Sequence, residues 1–114
     1  MPDTVGTTPP LTSQQRVQLR GLLDRRWRNQ VLALTDLAVQ FHAAEAERDG
    51  STRERLGRRL AGVRRSLVDI EAAMNRLDAR SYGWCDACDR RLPFEHLELT
   101  PELRYCRACL RPAS

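Results

Sequence analysis

Apolar residues recur along two segments of the chain at the spacing of one helix face. In the first segment, residues 13–48, they step by four and three residues in turn, which is the seven-residue repeat of a helix that faces one partner. Further leucines widen this first stripe. Its members are Trp27, Val31, Leu34, Ala38 and Phe41, with Leu19, Leu22, Leu23 and Leu37 beside them.

The second segment, residues 52–80, carries the more regular repeat. Its apolar residues also follow one another at steps of four and three: Leu56, Leu60, Val63, Leu67, Ile70, Met74 and Leu77. A stripe held to a period of about 3.5 residues favours a left-handed coiled coil. At about 1.5 Å per residue, this second helix is roughly 40 Å long.

The residues between the two stripes predict a tight connection. Asp49 and Gly50 end the first helix, with Gly50 suited to the left-handed position past its end. Residues 51–54 (Ser-Thr-Arg-Glu) match a capping box that starts the second helix, as residues 12–15 (Thr-Ser-Gln-Gln) do for the first. So short a connection makes the helices antiparallel. It also gives a high effective concentration, so the stripes are expected to pair within one chain, as a monomer.

Beyond residue 80 the helical repeat gives way to two Cys-x-x-Cys motifs. The motifs are separated by seventeen residues and use every cysteine of the chain: Cys85, Cys88, Cys106 and Cys109. This spacing is typical of a four-thiolate zinc site. Four thiolates leave no open coordination position, so one structural Zn²⁺ is predicted and not a catalytic one.

Two other uses of the cysteines were weighed. A pair of disulfides needs an oxidising compartment, and nothing in the sequence suggests export. A redox Cys-x-x-Cys pair is expected within a βαβ pattern, which is not found here. Around the metal, Pro93 is expected to open a short helix, and a small core is predicted from Phe94, Leu97, Leu99 and Tyr105.

Together these patterns predict an all-α protein. Residues 1–11 are expected to be a disordered N-terminal tail, because they are Thr, Pro and Gly with little apolar content. Residues 12–80 form a long antiparallel two-helix coiled-coil hairpin, with its tip near residues 49–52. Residues 81–114 form a small C-terminal four-cysteine zinc finger.

Charge points to acidic partners. The 114 residues include nineteen arginines and no lysine, with a formal net charge of +4 and a pI near 9.3. A basic balance favours nucleic acid or an acidic protein surface. At the start of the second helix only Glu54 opposes a basic run, which is either a partner surface or a solvated face. The run comprises Arg53, Arg55, Arg58 and Arg59, followed by Arg64 and Arg65.

Several classes of protein are disfavoured. No apolar run approaches the roughly 18 residues that span a bilayer, and no leader peptide is recognised, so a cytoplasmic protein with no membrane partner is expected. The chain shows no Ser/His/Asp set, no paired carboxylates in a pocket and no Gly-rich phosphate loop. Enzyme activity is therefore not expected.

The finger resembles the DksA/TraR-type zinc finger family. The resemblance is carried by residues 77–88 (Leu-Asp-Ala-Arg-Ser-Tyr-Gly-Trp-Cys-Asp-Ala-Cys), whose Tyr-Gly-x-Cys-x-x-Cys is a specific mark of that family. It continues at Leu92-Pro93, Leu97, Pro101 and residues 106–109 (Cys-Arg-Ala-Cys). Asp89 stands where many members have Gly. The predicted hairpin upstream also fits the architecture of the family.

The resemblance implies a bacterial transcription regulator that binds RNA polymerase and not DNA. Members of the family insert the coiled-coil arm into the secondary channel of the polymerase, where its tip lies near the catalytic Mg²⁺, often acting together with the alarmone ppGpp. Fully active members carry an Asp-x-x-Asp-x-Ala motif at the tip, which this chain lacks. Here the tip acid is Asp49, with Glu45 and Glu47 as substitutes; Asp49 also suits a plain helix end.

Two further hypotheses stay open at the level of sequence. The arginine-rich second helix could make the protein a nucleic-acid-binding zinc protein, with strongly salt-dependent affinity. Alternatively, the hairpin could serve as a coiled-coil interaction module. In the polymerase hypothesis, the surface formed by Arg53, Arg55, Arg58 and Arg59 meets acidic residues of the channel.

Overall fold

A computed structural model of the chain describes residues 8–110. It contains four helices: α1 (Ser13–Ala46), α2 (Gly50–Asp78), α3 (Phe94–Leu99) and α4 (Arg107–Leu110). Residues 8–110 include no β-strand, only an isolated antiparallel bridge between Trp84 and Arg91. The predicted all-α class, with two long helices in a hairpin, is confirmed. Of the predicted tail and C-terminus, residues 1–7 and 111–114 lie outside the described residues.

Helix α1 starts at the predicted capping box. The N–H of Gln15 donates to the Thr12 hydroxyl over 3.0 Å, and the N–H of Thr12 donates to the Gln15 amide oxygen over 3.0 Å. These reciprocal bonds satisfy two donors that the first turn of a helix leaves without an intrahelical partner. The start of the helix was therefore readable from the sequence.

The turn between α1 and α2 differs from the prediction. Arg48, and not Gly50, adopts the left-handed conformation, with φ of 58°. The N–H of Asp49 donates to the carbonyl of Ala44 over 2.9 Å, and the N–H of Arg48 to that of Glu45 over 3.1 Å. This pair of bonds is the Schellman motif, which satisfies the last carbonyls of a helix and requires the left-handed residue one place before Asp49.

The start of α2 also differs from the predicted capping box at residues 51–54. Asp49 is the cap: its carboxylate accepts the N–H of Thr52 over 3.1 Å and the hydroxyl of Thr52 over 2.7 Å. Its carbonyl accepts the N–H of Arg53 over 3.0 Å. Because the Schellman motif leaves Asp49 as the first residue free to cap, Gly50 becomes the first residue of α2.

Backbone contacts divide the chain into two compact units. One is Asp24–Glu71, and the other combines the described parts of Met1–Leu23 and Ala72–Ser114. Each long helix therefore contributes to both units. The first unit holds the turn and the middle of the hairpin; the second holds the start of α1, the end of α2 and the cysteine-rich segment.

Within the unit of residues 24–71 the two helices share a leucine-rich core. Its buried members are Leu37, Ala44, Leu56 and Leu60, and Leu34, Phe41 and Val63 pack against them half-buried. The predicted α2 stripe is confirmed, since all seven of its residues are buried or half-buried. The α1 stripe was partly wrong: Val31 is 37% exposed, and the inward positions of its repeat are Gln30 and Leu37.

In the unit of residues 8–23 and 72–110, the ends of the long helices are joined by polar contacts as well as apolar ones. Arg16 donates through Nη2 to the carbonyl of Leu77 over 2.6 Å, and Arg20 forms an ion pair with Asp78. Arginines of α1 thus bind the last turn of α2, where unpaired carbonyls favour positive charge. The buried apolar residues that the two long helices contribute to this unit are Leu19, Leu23, Ala73 and Leu77.

No helix within residues 8–110 is long and apolar enough to cross a lipid bilayer.

Candidate metal centre

The chain leaves α2 through a second Schellman motif. Arg80 is left-handed, with φ of 64°, and the N–H of Ser81 donates to the carbonyl of Arg76 over 2.9 Å. The N–H of Tyr82 donates to that same carbonyl over 3.1 Å. These bonds close the helix at once and direct the next residues into the first Cys-x-x-Cys motif.

Tyr82 and Gly83 lie in the segment that resembles the DksA/TraR-type finger, and each has a structural role there. The Tyr82 hydroxyl donates to the carbonyl of Pro101 over 2.7 Å, and the ring is 3% exposed. Gly83 has φ of 92°, and a Cβ placed there would lie 3.2 Å from Cδ1 of Leu11. A side chain at position 83 is therefore disfavoured both by backbone conformation and by space.

The first Cys-x-x-Cys motif, which we call the first knuckle, forms a tight turn that two backbone hydrogen bonds close. The N–H of Leu92 donates to the carbonyl of Gly83 over 2.7 Å, and that of Cys85 to the carbonyl of Arg90 over 2.7 Å. The N–H of Asp89 returns to the carbonyl of Cys85 over 3.0 Å. Asp89 has φ of 60°, so it occupies a left-handed position, where Gly would carry no steric penalty.

The second knuckle is joined to the first by one polar pair. The N–H of Asp86 donates to the carbonyl of Arg104 over 2.8 Å, and Arg104 Nε pairs with the Asp86 carboxylate over 2.8 Å. The N–H of Cys109 then donates to the carbonyl of Cys106 over 3.1 Å as α4 begins. Sequence analysis missed the pairing of Asp86 with Arg104, although opposite charges beside the two motifs were a visible signal.

The four cysteine sulfurs form one cluster. All four Sγ atoms lie within 4.8 Å of one another, and Cys88 Sγ is 3.6 Å from Cys106 Sγ. The cysteines are free thiols, with Cys85 buried and Cys109 at the surface. A tetrahedron with Zn–S bonds of about 2.3 Å has edges of about 3.8 Å, so the observed spacing suits a zinc ion. The predicted structural zinc site with four Cys ligands is thus confirmed as a fit, and the disulfide alternative is not observed.

The protein prepares part of this cluster for ionisation. Burial opposes ionisation of Cys85, but backbone N–H groups of Cys106, Ala87 and Cys88 outweigh it and lower the pKa of Cys85 to about 6. The backbone N–H of Cys109 likewise lowers the pKa of Cys106. A hydrogen bond with Cys106 raises the pKa of Cys109 to about 12, as expected where thiols crowd without a cation. Zn²⁺ ionises all its thiol ligands, so binding releases the remaining protons.

The predicted core of the finger was only partly correct. Leu97 on α3 is fully buried, and α3 follows Pro93 as expected. Leu99 is instead 80% exposed and Tyr105 37% exposed. In their stead, Tyr82, Leu92 and Pro101 are buried. Residues 101–102 form a turn, and the four-residue helix α4 was not anticipated.

The three predicted tip acids lie at or beside the turn, in different environments. Asp49 is held by Thr52, whose hydroxyl first and backbone N–H second lower the pKa of the Asp49 carboxyl. Glu45 lies 3.4 Å from Nδ1 of His42 across one turn of α1. Glu47 is exposed. Asp49 thus caps the start of α2, whereas Glu45 and Glu47 take no part in that cap.

The predicted basic surface lies on the exposed side of α2. Arg53, Arg55, Arg58 and Arg59 are all exposed, whereas Leu56 and Leu60 of the same helix are buried. Within residues 8–110, no ion pair or side-chain hydrogen bond engages these four guanidinium groups, although Arg55 acts on Asp49 through its charge. The four groups are consequently available to an acidic partner.

Comparison with known proteins supports the fold. No protein-family model matches the chain, and no curated protein matches it in sequence. The solved structure of transcription factor DksA2 from Pseudomonas aeruginosa is similar, with a TM-score of 0.76 and 23% sequence identity over 85% of this chain and 81% of that chain. The DksA-like fold expected from the finger resemblance is thereby confirmed.

Proposed function

We propose that this protein regulates transcription by binding RNA polymerase directly, with the hairpin tip inserted into the secondary channel. The observation that carries the proposal is the fold shared with transcription factor DksA2 along 85% of the chain. The clustered thiols of the finger add support, because the family-like segment and the metal centre coincide. The protein acts by binding and not by catalysis.

In this proposal the zinc ion has a structural task. When bound, it crosslinks the two knuckles and supplies no reactive position, since all four ligands are thiolates. Cys85, Cys88, Cys106 and Cys109 hold it. The finger then presents a fixed surface to the polymerase, and the modulation is carried out by the hairpin.

The proposed modulating group is the acidic tip. Carboxylate oxygens are the ligands that Mg²⁺ prefers, so Glu45, Glu47 and Asp49 could alter the field at a catalytic magnesium ion in the channel. Asp49 serves two tasks, because its carboxylate also caps α2 through Thr52. Glu45 and Glu47 are not held by the cap and can turn outward to a partner.

The proposed docking surface along the arm is basic. The exposed guanidinium groups of Arg53, Arg55, Arg58 and Arg59 can each bind a carboxylate in two-pronged fashion. Such contacts steer association and weaken as salt is added. Acidic residues of the channel are the proposed counterpart.

Direct binding is the test of this proposal. Zinc-loaded protein is titrated into core RNA polymerase, and a known secondary-channel factor is then added as competitor. We expect an affinity of roughly 1 μM or tighter and full displacement by the competitor. Replacing the four arginines by Gln should weaken binding most at low salt. No binding at micromolar concentration, or binding unaffected by the competitor, contradicts the proposal.

Two substitutions of Asp49 separate the effect of its charge from the effect of its helix cap. Asn caps helices about as well as Asp, so Asp49→Asn removes the charge and keeps the cap, whereas Asp49→Ala removes both. If the charge modulates transcription, both variants lose the effect in a promoter assay while only Asp49→Ala is destabilised. An Asp49→Asn protein with full effect assigns Asp49 to capping alone.

Two partners implied by the resemblance or by charge are tested beside polymerase. A ppGpp titration of the promoter assay examines whether the alarmone acts together with this protein, as it often does in the family. A gel shift with DNA and RNA at two salt concentrations examines the nucleic-acid hypothesis. Binding that survives moderate salt would replace the polymerase proposal, because purely electrostatic contacts to phosphates fade steeply with salt.

A further inference from the structure

A small basic cavity lies within the unit of residues 8–23 and 72–110, apart from the tip and the arm. Its volume is about 230 Å³, and its wall includes Pro9, Arg16, Arg80, Trp84 and Arg91. Among residues 8–110, none that lines the cavity is an aspartate or a glutamate. Three arginines thus line a common space with no carboxylate from residues 8–110 beside them.

Two of these arginines are held in place by the fold. Nη2 of Arg16 donates to the carbonyl of Leu77 over 2.6 Å, which fixes the guanidinium plane at the end of α2. The guanidinium of Arg91 lies over the Trp84 ring, with its central carbon 4.2 Å from the ring centroid. The backbone bridge between Trp84 and Arg91 keeps the two residues side by side. Their positions are therefore set before any ligand arrives.

The third arginine, Arg80, occupies a strained backbone position. It is left-handed, with φ of 64°, at the place past a helix end where Gly is the usual residue. A side chain there is conformationally unfavourable, because its Cβ crowds the backbone in the left-handed conformation. Strained residues cluster at binding sites, where the surrounding structure maintains them. The side chain of Arg80 has no hydrogen bond or ion pair to another residue within 8–110.

We propose that this cavity binds a small oxyanion carrying at least two negative charges. Arginines that line one cavity repel one another unless an anion lies among them, and their planar forks match the oxygens of phosphate and carboxylate. The small volume and the proline wall at Pro9 and Pro10 favour a compact ligand over a polymer. Neither the zinc ligands nor the hairpin tip takes part.

Calorimetry on the isolated, zinc-loaded full chain tests the site without polymerase. Pyrophosphate and citrate are the two probes, because they separate a phosphate preference from a carboxylate preference. We expect at least one of them to bind with an affinity of about 1 mM or tighter. In a Trp27→Phe background, fluorescence of Trp84 should change along the same titration curve. No binding of either probe, or no Trp84 response, overturns the proposal.

The decisive variant is Arg80→Gly, because it separates binding from stability. It removes one guanidinium group and relieves the strained backbone, so affinity should fall about tenfold while the melting temperature rises. Arg91→Lys, which keeps the charge and loses the planar fork, should weaken binding by a smaller factor. A purely structural Arg80 would raise the melting temperature with no change in affinity, which contradicts the proposal.

Arg48→Gly is the matched control. Arg48 occupies the same left-handed place in the same helix-ending motif, but in the unit of residues 24–71. Its replacement removes the same charge and the same strain, and anion affinity should change less than about twofold at moderate salt. Equal weakening by Arg48→Gly and Arg80→Gly would show diffuse attraction to net charge, and the cavity would then not be a site. Displacement of pyrophosphate by a short DNA duplex at moderate salt would likewise overturn the choice of a small ligand.

Discussion

The two compact units of this chain are built from the same pair of helices but are stabilised differently. The unit of residues 24–71 buries leucines of α1 and α2 against each other. The unit of residues 8–23 and 72–110 adds a cluster of four thiols, a buried tyrosine hydroxyl bond and an ion pair of α1 with α2. One helix can thus contribute to a hydrophobic core at one end and, at the other, to a unit that holds four clustered thiols.

Zinc removal should separate the two units most clearly. Chelation under reducing conditions leaves four crowded thiols with no crosslink, and small finger-like folds of this kind are commonly unfolded without metal. We expect amide hydrogen exchange to rise throughout residues 81–110, while amides of residues 24–71 stay protected. Addition of zinc should restore protection. Equal loss of protection in both units would show that the hairpin also depends on the metal.

A core truncation should have the converse effect. Leu60→Ala removes a side chain that is 7% exposed, so we expect a loss of about 2–5 kcal/mol in the free energy of unfolding of the hairpin. Zinc content should stay unchanged. Leu32→Ala is the control, because Leu32 is 69% exposed in the same unit, and it should cost less than about 0.5 kcal/mol. Urea denaturation followed by circular dichroism measures both; similar costs would refute the described core.

Tyr82→Phe examines the polar part of the finger. Loss of the hydroxyl leaves the Pro101 carbonyl without that donor, which should cost about 1–2 kcal/mol. Burial raises the pKa of Tyr82 well above its ordinary value. In the unfolded chain this phenol ionises near its ordinary pKa of about 10, so its contribution to stability is intact below that pH and is lost above it.

The dependence of stability on pH, measured on the zinc-loaded protein, tests whether the buried neutral phenol of Tyr82 contributes to stability. Tyr82→Phe should lessen the fall in stability as the pH rises above about 10, whereas Tyr105→Phe should not. Tyr105 is the matched control because it is 37% exposed in the same finger. A wild-type profile in the Tyr82→Phe protein would contradict the account of a buried neutral phenol.

The smallest expected effect is a gain in stability at the hairpin turn. Arg48→Gly removes left-handed strain at a helix end and should raise the free energy of unfolding by about 1 kcal/mol. The control, Arg58→Gly, lies at an exposed place inside α2, where Gly costs about 1 kcal/mol. Chemical denaturation should therefore show shifts of opposite sign. A destabilised Arg48→Gly protein would argue that the arginine side chain stabilises the turn.

Much of the fold could be predicted because its signals are local. The apolar stripe of α2 is unbroken in the sequence. The spacing of the cysteines alone predicts the four zinc ligands. The α1 stripe was misassigned because Gln30 fills an inward place of the repeat while Val31, beside it, is apolar and exposed. At the turn, Gly50 was the obvious left-handed residue, but the hydrogen bonds of the helix end fix that conformation at Arg48.

Other features depend on residues distant in sequence. The finger core could not be read from the run of apolar residues, because Tyr82 is buried through its bond to Pro101, nineteen positions away. The basic cavity unites Arg16, Arg80 and Arg91 from three separate segments. No spacing rule brings such residues together before the fold is known. The cluster of four thiols was predictable for the opposite reason, since each Cys-x-x-Cys pair is a local motif.

The central claim is that four thiolates hold one zinc ion in the finger. Metal analysis of protein purified under reducing conditions tests it most directly, with cobalt substitution to report the ligand set by its sulfur-to-metal absorbance. The account predicts one zinc ion per chain, a tetrahedral four-thiolate cobalt spectrum, and loss of both in Cys85→Ser. Metal-free protein with a fully protected finger, or zinc retained undiminished in Cys85→Ser, would contradict it.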